Sequence, residues 1–218
     1  MVEKLDYYDA LGVLVPGSLA ACWAWICFPC LTGVVPSNGL PATFDIVASL
    51  ALVILIGHII QALGSILEPC IYRSWGGRPS ERALSKGLGD RYFPKDSAAR
   101  IRAKLVQTVG GESSERSLFL RAMHLAECAG NTRVQRFNSL YAYQRGLLIL
   151  ALIAFALLVA SLQWGAASAW ACGWKCVGVA VAASLFVLTW HRAKQRAFYY
   201  VREVLFTAER VLNGEKRG

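Results

Sequence analysis

The chain has 218 residues, of which 56% are hydrophobic and only 17% charged, with a mean hydropathy of +0.42. That is too apolar for an ordinary water-soluble domain and too evenly interrupted for a single anchor. The formal net charge is +9. In a membrane protein much of such an excess is a topology signal, so it is not credited wholly to a ligand.

The start, Met1 to Asp9, is acidic, and the apolar run behind it is too long for the core of a signal peptide, so it is expected to stay attached. The first predicted span runs from Leu11 to about Val35, long enough to cross a ~30 Å hydrocarbon core with some tilt. Pro16 and Pro29 lie inside it, and each removes a backbone donor and should kink the helix. Gly33 to Asp45 reads as a turn, broken by Pro36, Asn38, Gly39 and Pro41. A second span follows from about Phe44 to Leu67, and Glu68-Pro69 is expected to end it, because the residue before proline disfavours helix.

The stretch from Ile71 to Arg145 is the one long polar segment, with 14 Lys/Arg against 6 Asp/Glu. Arg73 to Lys95 is rich in Gly and Pro and reads as loop with short helices. Asp96 is a candidate N-cap for a helix to Val109 with an apolar stripe at Ile101, Leu105 and Val109. Ser114 is a candidate cap for a second helix to Cys128, with Leu118, Ala122 and Leu125 inward and Gly130 at its stop. So small a core is expected to need neighbouring elements or another subunit.

Thr132 opens a helix that meets no breaker before Leu162, membrane-embedded after Gly146. Gln163 to Gly173 is a short turn. The fourth span, about Trp174 to Trp190, can run on to about Leu212. Ala197, Val201, Val204, Ala208 and Val211 form a heptad-like seam there, for packing on the polar segment or for self-association of tails.

The expected fold is therefore an all-α membrane protein. Four transmembrane helices form two hairpins, 1–70 and 146–190, with a basic helical layer at 71–145 and a helical tail at 191–218. Of 23 Lys/Arg, 14 lie in the middle segment and 7 follow Trp190, while the inter-span turns hold none. The positive-inside rule then places both termini and the middle segment in the cytoplasm.

Two patterns could carry function. His58, Gln61, Ser65 and Glu68 are spaced 3, 4 and 3, which sets them on one helix face. They could line a pore in an oligomer, or make hydrogen bonds inside the monomer helped by close approach at Gly57 and Gly64. Basic and aromatic residues also interleave around Arg133 and Arg136 and around Lys194, Arg196 and Tyr199, with Arg73 and Arg78 at the start of the basic segment. These are the candidate ligand-binding residues, since cations suit phosphates and aromatic rings stack on bases. Contact with anionic lipid headgroups is the alternative. Seven cysteines are more simply small packing residues than a metal site, and a disulfide between hairpins stays open. No P-loop, no H-E-x-x-H and no catalytic set stands out, so a non-enzyme without cofactor is expected.

Tyr8-Asp9-Ala10-Leu11-Gly12-Val13-Leu14-Val15-Pro16-Gly17, together with Arg136-Phe137-Asn138-Ser139-Leu140-Tyr141 leading to Arg145-Gly146, resembles small bacterial membrane proteins encoded in phage-defence operons beside a nucleotidyltransferase. The family it most resembles is that of the channel-forming effectors of the Hailong antiphage system. The resemblance implies an oligomeric ion channel of the bacterial inner membrane, a tetramer. It also implies control by single-stranded oligodeoxyadenylate from the partner nucleotidyltransferase, with the ligand holding the channel closed. A non-conducting membrane-anchored binding or scaffold protein is the alternative, and a membrane enzyme on lipid substrates is a third.

Overall fold

The computed structural model describes residues 7–27, 42–109, 114–130, 132–163 and 169–214. They form seven helices: α1 (Tyr7–Cys27), α2 (Ala42–Ser74), α3 (Pro79–Lys86), α4 (Lys95–Val109), α5 (Glu115–Cys128), α6 (Thr132–Gln163) and α7 (Ala169–Leu212). Among these residues there is no strand, only an isolated bridge between Gly89 and Phe93. Pro29, 33–41 of the first expected turn and 164–168 of the second lie outside the described residues, whereas 42–45 and 169–173, expected as turn, are helical.

Among the described residues three helices are long and apolar enough to cross a membrane, within Asp45–Lys86, Thr132–Ala160 and Gly173–Leu212, and a shorter apolar helix covers Gly12–Ala24. Their surfaces fit that solvent: Ile46, Val47 and Ile66 on α2 and Trp174, Val187 and Leu188 on α7 all stand exposed. In water so much contiguous apolar surface would be an aggregation liability, whereas in hydrocarbon it costs nothing.

The chain divides into two compact units, 1–66 with 142–193 and 67–141 with 194–218. The sequence pattern places its breaks after residues 70, 145 and 190. Within the second unit Glu68 and Tyr72 both hydrogen-bond to Tyr141. Arg145 turns to Gln61, inside the first.

The helix expected to stop at Glu68-Pro69 instead continues to Ser74, with Pro69 inside it. Proline removes one ladder bond but does not forbid the conformation when neighbours hold it. Here the Tyr72 hydroxyl donates to Glu68 Oε1 at 2.7 Å across the proline.

In the first unit α1 and α2 approach backbone to backbone. A Cβ on Gly17 would run into the Val53 carbonyl, and one on Gly57 into the Val13 carbonyl. Only glycine permits that approach, a packing mode suited to a lipid solvent where close van der Waals contact drives association.

In the second unit Leu84, Phe93, Ile101, Leu105, Leu118, Ala122, Val204, Leu205 and Ala208 lie in one core, with almost no exposed surface. Ser114 caps α5 as expected, accepting from the Ser117 amide at 3.2 Å, and Gly130 closes it at φ +60°. Asp96 lies in the first turn of α4 rather than at its cap. The loop before α4 turns at Gly87 (φ +72°), where a Cβ would meet the Phe93 carbonyl at 2.8 Å. The tail adds to this core: Val201, Val204 and Ala208 are buried in it, Ala197 is buried as well, and Val211 is 38% exposed. Four of the five seam residues are thus buried within the chain.

Candidate functional site: a basic groove and a polar helix junction

In the first unit a junction forms around Gln61. Pro16 has no N–H, so the carbonyl of Gly12, four residues earlier, loses its helical donor. Gln61 Nε2 supplies one from α2, donating to Gly12 O at 2.8 Å and to Ala142 O of α6 at 3.1 Å. Arg145 Nη2 donates to Gln61 Oε1 at 3.2 Å. The Arg145 side chain lies over Gly64, and Gly146 lies against Pro16 and Gln61. One amide thus ties three helices and satisfies a backbone group that would otherwise be stranded in an apolar setting.

The four candidate pore residues therefore stand differently. His58 and Ser65 are exposed, and the Ser65 hydroxyl donates to Gln61 O at 3.1 Å. Gln61 is half-buried with its amide turned onto α1 and α6. Glu68 Oε1 accepts from Tyr72 at 2.7 Å and from Tyr141 at 2.9 Å, in the second unit. The structure does not bring the four together as one outward stripe.

The candidate ligand residues all lie in the second unit, and their aromatic members are already engaged. Tyr199 stacks on Phe137 with centroids 6.2 Å apart, meets Tyr92 edge-on at 5.4 Å and has Arg202 over its ring at 5.0 Å. Lys194 lies over Phe198, itself against Tyr92. Arg133 is exposed, 3.9 Å from the Glu203 carboxylate, and Arg136 is exposed on α6. Arg196 is half-buried, and Arg73 is exposed in the last turn of α2. What reads along the sequence as basic residues interleaved with rings is, in space, a half-buried aromatic cluster with cations against its rings.

Arg78 belongs to a different feature. It lines an open groove of about 1560 Å³ between α3, the start of α4 and the start of α5. Six cations line it, Arg78, Arg82, Lys86, Lys95, Arg102 and Arg116, against three carboxylates. Arg78 faces Glu81 at 3.3 Å and Arg102 faces Glu115 at 2.8 Å. Arg82 donates to the Trp75 carbonyl. Among the described residues Lys86, Lys95 and Arg116 have no ion-pair partner. The amides of Gly76, Gly77 and Gly87 on its edge are consumed in turn hydrogen bonds, so side-chain cations rather than backbone donors make its charge. Sequence reasoning passed over this set because its members are scattered through the Gly- and Pro-rich stretch read as loop. The available signal was the recurrence of Gly76-Gly77, Gly87 and Gly89 beside Lys and Arg.

Away from the groove, Glu209 of α7 accepts from Arg100 at 2.7 Å and from Lys104 at 3.4 Å. The Arg100 hydrogen bond holds its carboxyl below the usual value of 4.5. Cys22, Cys70, Cys128 and Cys176 are free thiols. Among the described residues no three His, Cys, Asp or Glu side chains converge as metal donors. No family model matches the chain, and neither a curated protein nor a solved structure shows significant similarity to it.

Proposed function

We propose that the chain is an oligomeric ion channel of the bacterial cell membrane, a tetramer, whose basic unit on the cytoplasmic side receives an anionic oligonucleotide and thereby controls conduction. Four spans in two hairpins carry it, with α1 as the first. The observation that carries this reading is one chain joining helices of membrane length and apolarity to a unit with a groove lined by six cations. The likeness of 8–17 and 136–146 to Hailong effectors adds the ligand class, a single-stranded oligodeoxyadenylate made by a partner nucleotidyltransferase, and the direction, closure by the ligand.

Ligand binding gates only if it favours one pore state over the other. Of the four stripe residues on α2, His58 and Ser65 are the exposed ones, and polar groups at membrane depth face water or a partner rather than lipid. They are the pore-lining candidates that the helix junction leaves available. Gln61 and Glu68 then act behind them, holding α2 against its neighbours.

Purified protein in liposomes tests the reading. Ion flux that oligodeoxyadenylate suppresses supports it. Tight liposomes with and without the ligand would favour the non-conducting scaffold, whose basic unit meets lipid or a protein partner.

A further inference from the structure

We infer that the groove between α3, α4 and α5 seats a free chain of phosphates and reads the phosphates without reading bases. The inference rests on the ligand class proposed above and locates and characterises its site. Three observations carry it. The first is unspent charge: Lys86, Lys95 and Arg116 line the groove with no carboxylate partner among the described residues, and Arg82 is held only by a carbonyl. Ordinary surface cations scatter, whereas these converge on one concavity of about 1560 Å³. That exceeds the ~300–1000 Å³ typical of a site for a drug-sized molecule, so it suits an extended ligand.

The second is the lining itself. Among the described residues it contains no aromatic side chain, so no platform exists there for stacking bases. The third is the fate of the rings elsewhere in the unit. Tyr92, Phe137, Phe198 and Tyr199 pack on one another and against Lys194 and Arg202, outside the groove lining, so these rings are engaged with one another rather than offered to a ligand in the groove. A ligand held by cations without stacking is bound through its backbone, and its affinity falls with salt as counterions are released.

The test uses the full chain in detergent and fluorescence anisotropy with single-stranded oligonucleotides of one base each, inorganic tripolyphosphate as competitor, and vesicles of phosphatidylglycerol. Two triple variants are compared with the parent. One is Lys86→Ala, Lys95→Ala, Arg116→Ala. The other, equal in charge lost and outside the groove, is Arg91→Ala, Arg121→Ala, Arg210→Ala.

The inference expects oligo-dA, oligo-dT and oligo-dC to bind within about threefold of one another and to be displaced by tripolyphosphate. The groove variant should lose tenfold or more in affinity and about 2 in the slope of log K against log salt, at about 0.7 per lost phosphate contact. The control variant should stay near the parent. Oligonucleotide binding that the groove variant retains overturns the site while leaving the ligand class intact. Tripolyphosphate bound at the groove without any oligonucleotide binding supports the site and removes the nucleotide reading instead. Strong preference for one base, or loss confined to vesicle binding, overturns the inference.

Discussion

Gln61 does at residue scale what the proline in α1 makes necessary. Pro16 strands the Gly12 carbonyl, and Gln61 Nε2 donates to it at 2.8 Å. Gln61→Leu should therefore destabilise the protein in detergent by about 1–3 kcal/mol, the cost of an unsatisfied buried carbonyl. Pro16→Ala restores the helical N–H at that carbonyl, so the double variant should recover much of the loss, and thermal melts of the four proteins measure the coupling. Additive losses would mean that the amide serves another purpose.

Glu209 gives the second residue-scale prediction. Its carboxyl is lowered in the folded state, first by the Arg100 hydrogen bond. The stability it contributes is present above the usual carboxylate value of 4.5 and is lost as pH falls through the lower folded value. Glu209→Gln should flatten the acid limb of stability against pH below about 4.5 and lower stability at neutral pH.

At the scale of elements, α7 is the largest single investment, 44 residues or about 66 Å of helix. Its end belongs to the core of the second unit, where Val204, Leu205 and Ala208 have no exposed surface. Leu205→Ala should cost about 2–5 kcal/mol, whereas Val211→Ala, on the exposed side, should cost little. Chemical unfolding of both variants checks the contrast, and equal losses would mean that the tail packs differently.

The helices were largely legible because their signals are local. Periodicity, the Ser114 cap and the Gly130 stop mark α4 and α5, and uninterrupted apolar runs mark α6 and α7. The continuation of α2 through Pro69 was not legible, because contacts of Tyr72 and Tyr141 hold the conformation that proline alone disfavours. The candidate site was legible in composition only. Local interleaving of Arg and Tyr around Tyr199 said nothing about which rings would pack on one another, and the groove cations converge only after three helices pack.

At the scale of the whole molecule, the account joins an apolar helical unit to a basic one and assigns conduction to the first and ligand reception to the second. Under the proposed four-span topology the positive-inside rule puts the two inter-span turns on the outer side, since Gly33–Asp45 and Gln163–Gly173 hold no Lys or Arg. Single cysteines at Ser37 and Ala167, in a background without reactive native thiols, should label from outside and one at Ser114 from inside.

The central claim is that the ligand controls a conducting pore, and a planar-bilayer recording with oriented channels tests it most directly. The account predicts a steady conductance in ligand-free protein that falls when oligodeoxyadenylate is added to the side bearing the basic unit, with no effect from the other side. A conductance indifferent to the oligonucleotide on both sides, or none at all from protein that binds it, would contradict the account.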